Sequence, residues 1–105
     1  ETRQHADPPA CRAPVAPDTP SITLTDDGPG CDARLDEQRT NLGEAQEAWL
    51  GEGLATSSTT WNVIANPVMM AGLNIGTAAE PKYTLDMWDG YPAARARLRA
   101  GALAA

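Results

Sequence analysis

Phenylalanine is absent from this 105-residue chain, and Trp49, Trp61, Trp88, Tyr83 and Tyr91 are its only aromatics. With so few rings any core is small, and a chain of this length buries only about two-thirds of the surface its unfolded form exposes. Basic residues are scarce as well: eight Lys and Arg stand against fourteen Asp and Glu, a net charge of -6. That argues against a general nucleic-acid binder, which needs cations to neutralise phosphates, and against an electrostatic hold on an anionic membrane. Long apolar runs are missing. The longest, at residues 61–65 and 68–72, fall far short of the ~20 residues of a membrane span.

Histidine occurs once, at His5, with only Asp7 as a carboxylate close by in sequence; His5 therefore reads as an ordinary loop residue. Asp26 and Asp27 lack the spaced oxygen ligands of a calcium loop and read as part of the turn Asp26-Asp-Gly-Pro-Gly30. Cysteine occurs twice, at Cys11 and Cys31. Bonded, the pair closes a loop of about 20 residues, a constraint worth roughly 3 kcal/mol, and points to an oxidising compartment. Two free thiols are the alternative. Without neighbouring histidines the pair does not make a zinc site. The chain opens on Glu1 rather than Met and shows no signal-peptide pattern, as expected of a processed secreted domain or a piece of a longer protein.

What is present falls into two parts. Residues 1–38 hold six of the nine prolines, each of which fixes φ and removes a donor, so this part reads as irregular loop. Only Ser21-Ile-Thr-Leu-Thr25 alternates like a short strand or edge hairpin. So long an irregular stretch fits better as an insertion over a larger scaffold than as part of a free-standing domain.

Residues 39–105 carry the regular elements. A helix is expected over 42–55, with Leu42, Ala45, Trp49, Leu50 and Leu54 on one face. Asn41 and Glu44 have capping-box spacing, with Thr40 the alternative cap. Trp61-Asn-Val-Ile-Ala-Asn66 then reads as a strand buried on both faces, with Trp49 and Trp61 as core anchors and Met69 and Met70 as gap-fillers. Residues 73–82 are small and expected to be flexible. Asp86-Met-Trp-Asp-Gly-Tyr91 forms an aromatic turn, and Pro92 suits the first turn of a second helix, reaching residue 98 or beyond. Arg95, Arg97 and Arg99 suit the negative end of that helix. Helix, buried strand and helix make an α/β layer, and one such unit cannot cover both faces of its strand. The strand therefore needs partners from elsewhere.

The order of the runs is distinctive. Arg39, Thr40, Leu42, Gly43, Gln46, Trp49 and Leu50 follow the pattern R-T-x-L-G-x-x-Q-x-x-W-L, then come Trp61-Asn62-Val63 and Trp88-Asp-Gly-Tyr-Pro-Ala93. Together they resemble the alkaline phosphatase D (PhoD-like) family, and Thr2-Arg3-Gln4 is similar to its D-T-R-Q segment, with Glu1 where Asp is usual. Two departures stand out: His5 where Tyr is usual, and Asn66-Pro67 in place of Gln-Gln.

The resemblance implies a piece of a metallophosphoesterase whose α/β/β/α double-sheet sandwich hydrolyses phosphate monoesters and diesters with iron and calcium. It implies export, often by the twin-arginine route, to a secreted, periplasmic or cell-surface location. Cys11 and Cys31 are similar to a pair that some secreted members carry. The family's metal-ligand loops would precede Glu1 and follow Ala105. No metal ligand or catalytic residue is therefore assigned here, no cofactor is expected on this segment alone, and the isolated chain is expected to be inactive. Arg3, Trp88, Asp89 and Tyr91 are the candidates for substrate contact, Arg3 through its guanidinium fork and the other three at the substrate mouth. Otherwise Asp89 caps the second helix and the aromatics pack. The alternative is a small exported binding or interaction module that kept part of the fold without its chemistry.

Overall fold

The computed structural model describes residues 5–10, 21–23 and 31–105. In chain order these give a strand β1 (Ser21–Thr23), a 3-10 turn (Asp32–Leu35), a helix α1 (Glu44–Thr56), a strand β2 (Lys82–Thr84), a 3-10 turn (Trp88–Gly90) and a helix α2 (Pro92–Ala104). β1 and β2 pair antiparallel, with Ile22 opposite Tyr83. Arg3, Cys11, Asp26 and Asp27 lie outside the described residues.

α1 starts two residues later than the periodicity predicts, and the reason is Gly43. Its φ of 82° belongs to the left-handed region, which glycine enters without steric cost. A Cβ there would also lie 2.6 Å from the Cβ of His5. The capping box of Asn41 and Glu44 does not form, since α1 has no side-chain cap. Thr40 takes over part of the role: its Oγ1 accepts hydrogen bonds from the amides of Leu42 and Gly43 at 3.2 and 3.0 Å. Glu44 and Glu47 lie in the first turn, where the helix dipole favours negative charge.

α2 begins on Pro92 as expected. It continues to Ala104, so Arg95, Arg97 and Arg99 are not in its last turn. They do not act on the helix end; Arg95 and Arg97 reach carboxylates on other parts of the chain instead.

The two helices pack on the aromatic turn between them. Leu42, Leu54, Trp88, Tyr91, Ala94 and Leu98 form the core, with Leu50, Val68 and Met70 packed against it. Trp88 is 1% exposed and Leu85 is fully buried. The turn can close this tightly because residue 90 is glycine: a Cβ on Gly90 would lie 1.9 Å from the carbonyl oxygen of Leu85.

Several expectations are corrected here. Trp49 and Trp61 are not core anchors: they are 70% and 83% exposed. α1 buries Leu54 and partly Leu50, while Ala45 and Trp49 face outward. Residues 61–66 form no strand and stand exposed except Asn66. A strand is a product of its partners' hydrogen bonds, and the two described strands pair with each other. Met70 packs against the core as expected, whereas Met69 is exposed.

Residues 73–82 are organised rather than loose. Asn74 Oδ1 accepts from the amides of Gly76 and Lys82 at 2.8 and 3.0 Å, and the Ile75 amide donates to the Lys82 carbonyl at 2.8 Å. Among the described residues no helix is long and apolar enough to cross a membrane.

Candidate functional site

Polar side chains converge at two places, both on α2. At the first, Arg97 reaches back across the start of α1. Its Nε and Nη2 donate to the two carboxylate oxygens of Glu47, its Nη1 to the Glu37 carbonyl at 2.6 Å, and its Nη2 also to the Arg39 carbonyl at 2.9 Å. Thr40 Oγ1 donates to Glu47 Oε2 at 2.7 Å. The guanidinium fork suits this bidentate grip, which a lysine cannot reproduce.

Partial burial works against the charge on Glu47. The Arg97 and Thr40 hydrogen bonds and the Arg97 charge outweigh it, and hold the carboxyl below its ordinary range. Arg97 is held more firmly protonated by the same pair, against a smaller opposing effect of burial. The cavity beside the pair, about 370 Å³, is lined by Glu37, Glu44 and Glu47 along with Arg97. Three carboxylates against one guanidinium already engaged give the wrong sign for gripping a phosphate.

The pair carries a pH signature. Because the folded Glu47 pKa lies below the unfolded one, its stabilisation is present above the unfolded value, about 4.3. It is lost as pH falls through the lower folded value. Glu47→Gln is therefore expected to lose less stability than the native chain between about pH 5 and pH 3. Urea midpoints at both pH values check this, and identical pH slopes would exclude the assignment. Arg97 is 42% exposed, so the difference should also shrink as salt rises.

At the second place, Asp89 is buried and ties four segments together. Its Oδ1 accepts from Arg95 Nη1 at 2.9 Å, its Oδ2 from the Leu73 amide at 3.1 Å, and its carbonyl from Arg34 Nη1 at 3.0 Å. Arg95 Nη1 also donates to the Met70 carbonyl at 3.1 Å. Asp89 thus braces the turn and the 70–73 loop; the N-cap of α2 is Tyr91, without a side-chain cap bond. Trp88 Nε1 donates to Asn66 Oδ1 at 3.3 Å. The Tyr91 hydroxyl donates to the Asp7 carbonyl, and the Arg39 guanidinium lies 5.1 Å from the Tyr91 ring centre. All three substrate-contact candidates of the aromatic turn are buried, while Arg3 lies outside the described residues.

The remaining candidates are quickly placed. His5 is exposed beside a cavity it shares with Asp7, Thr40, Gly43 and Glu44. The Asp7 carboxylate accepts from the Thr40 amide at 2.8 Å. Cys31 is buried and is not a free thiol, and Cys11 is outside the described residues. Sequence reasoning missed the Thr40–Glu47–Arg97 and Asp89–Arg95 sets. The one signal available was that Thr40 and Asp89 sit inside the two motif runs.

A PhoD-like phosphatase family model matches residues 1–105, the whole chain. The chain belongs to the PhoD-like phosphatase family. Alkaline phosphatase D of Bacillus subtilis (strain 168) is 46% identical over 70 residues, which cover 67% of this chain and 12% of that protein. A solved structure of PhoD superposes with a TM-score of 0.72 at 36% identity, over 96% of this chain and 17% of that one. The likeness carries an α/β fold. This PhoD-like chain thus spans less than a fifth of either relative.

PhoD-like phosphatases are metal-dependent in general. The carboxylates of Asp7, Glu47 and Asp89 each accept hydrogen bonds from protein donors. Among the described residues no group of three or more His, Cys, Asp or Glu converges to hold an ion.

Proposed function

We propose that this chain is the helix–loop–helix part of an exported phosphoric ester hydrolase of the PhoD-like type, acting on phosphate monoesters and diesters. The observation that carries it is the family match over residues 1–105. In this reading the complete domain is the double-sheet α/β/β/α sandwich. Residues 1–38 drape over it as a loop tied by Cys11 and Cys31, and residues 39–105 supply the packed layer. Iron and calcium would be held by loops of the complete enzyme and, when bound, would supply Lewis-acid activation of the phosphate ester and of a water nucleophile. This segment's contribution is to position: Asp89, Arg95 and Arg97 lock α2 against α1 and the 70–73 loop. Arg3 remains the candidate for a phosphate contact, and Trp88, Asp89 and Tyr91 form a rigid base behind the substrate mouth.

The purified chain, given iron and calcium, is expected to turn over no nitrophenyl phosphate diester. The same residues inside a complete PhoD-like protein are expected to support turnover. Activity of the chain alone overturns the division of labour, and a complete protein that hydrolyses no phosphate ester overturns the function. A second reading, a non-catalytic exported binding module, draws on one observation. Both polar sets are satisfied within the chain and surround a formed core. Binding of an apolar-surface dye by the isolated chain that a complete PhoD-like protein does not show favours the incomplete domain; equal dye binding by the two favours the module.

A further inference from the structure

Tyr91 carries one group that its packing does not use. The residue is 2% exposed and its ring belongs to the core, a place a phenylalanine ring would fill as well. A buried tyrosine hydroxyl usually finds a hydrogen-bond partner, and this one donates to the Asp7 carbonyl, 84 residues earlier.

The same N-terminal segment is held from a second side. The Asp7 amide donates to the Thr40 carbonyl at 3.0 Å, and the Thr40 amide donates back to Asp7 Oδ2 at 2.8 Å. Arg39 Nη2 donates to the Pro8 carbonyl, and its guanidinium lies over the Tyr91 ring, so the two holds meet. His5 lies flush on Gly43, where a Cβ would come within 2.6 Å of its own. Arg97 steadies this side through the Arg39 carbonyl at 2.9 Å.

Yet none of residues 5–10 is buried. The segment adds no buried side chain to the core, and hydrogen bonds that merely replace bonds to water contribute little net stability. What these bonds fix is position. Arg3 stands two residues before His5 in the chain, and two residues of even fully extended chain span only about 7 Å. Pinning residues 5–8 therefore limits where Arg3, the phosphate-contact candidate, can stand. Its guanidinium fork would meet a phosphate through paired, directional hydrogen bonds, and a misplacement of about 1 Å at such a contact can cost about a hundredfold.

Resting on the family reading above, we infer that Tyr91 is a positioning residue for the phosphate ester: through its hydroxyl it fixes residues 5–8, and through them it sets where Arg3 meets the phosphate.

The test is to place this chain in Bacillus subtilis alkaline phosphatase D in place of the matching residues, and to measure hydrolysis of a nitrophenyl phosphate diester and its inhibition by inorganic phosphate. Tyr91→Phe keeps the ring and removes the hydroxyl. It is expected to raise KM and the phosphate inhibition constant together by about tenfold, a fraction of the loss a 1 Å misplacement can bring, with a smaller change in kcat. Arg3→Lys is expected to weaken phosphate inhibition at least as much, and adding Tyr91→Phe to it should weaken it no further, since the hydroxyl acts through Arg3. The Asp7 amide should exchange faster in Tyr91→Phe while α1 and α2 stay protected. Independent, additive effects of the two substitutions overturn the inference, as does phosphate inhibition that Arg3→Lys leaves unchanged. Hydrolysis with both constants unaltered by Tyr91→Phe overturns it alone and reduces the hydroxyl to a structural bond. A folded chimera that hydrolyses no phosphate ester removes the family reading, and the inference with it.

Discussion

Trp88→Ala is expected to abolish cooperative unfolding of this chain. Trp88 is the largest fully buried side chain, and it touches both helices through the core it shares with Leu42, Leu54 and Leu98. Truncating a buried Trp to Ala costs about 3–5 kcal/mol, through lost transfer energy and the cavity left behind. A small domain has only about 5–15 kcal/mol in total. The indole also anchors Asn66, so the loss should extend to residues 61–66. Near-UV circular dichroism should lose its tryptophan signal, and exchange protection should fall in α1 and α2 together. A sharp transition displaced by only a few degrees would mean that Trp88 is not the keystone of the core. Trp49, the other tryptophan of this layer, is the internal control: it is mostly in water, so Trp49→Ser should shift the midpoint little.

The second large effect is expected from the smallest substitution. Gly90→Ala adds one methyl group, and that methyl would sit 1.9 Å from the Leu85 carbonyl oxygen and 2.8 Å from its carbon. Both are backbone atoms, so no side chain can rotate away. The turn must open, and opening it pulls Asp89 from Arg95 and the Leu73 amide. Overpacking of this kind costs typically 1–3 kcal/mol and occasionally more, and the loss of a buried pair adds to it. Gly90→Ala should therefore approach the damage of Trp88→Ala in urea unfolding. Gly53→Ala, where the new methyl meets nothing within 4 Å, should be neutral or stabilising in its helix. Equal midpoints for the two glycine variants would show that the turn can relax.

How far the sequence foretold this depends on how local each interaction is. α2 was legible because Pro92 and the Trp-Asp-Gly-Tyr run are local signals, and the helix begins where they place it. α1 was legible in kind, but its start shifted because a glycine at positive φ and a contact with His5 decide it. β2 was missed: three residues pair with three others some sixty positions earlier, and no periodicity shows over so short a run. The same distance hid the arginine pairs. Arg97 looked like a helix-end cation, because nothing near it in sequence reveals that Glu47, Glu37 and Arg39 will surround it. Trp61, Val63 and Ile64 were read as a buried strand, but residues 61–66 form no strand and these three stand exposed, because the composition of a strand cannot supply the neighbour that makes it one.

Arg97 also sets a clock on the birth of this chain. The carbonyls of Glu37 and Arg39 and the carboxylate of Glu47 are made 50 to 60 residues before the guanidinium that joins them. At roughly 5–20 residues per second of synthesis, α1 waits several seconds with its first turn unclasped and its Leu54 face bare. Through that interval the segment has only its contacts to earlier residues, those of Thr40 with Asp7 and of Arg39 with Pro8, and it is then that a chaperone or a premature neighbour can reach it.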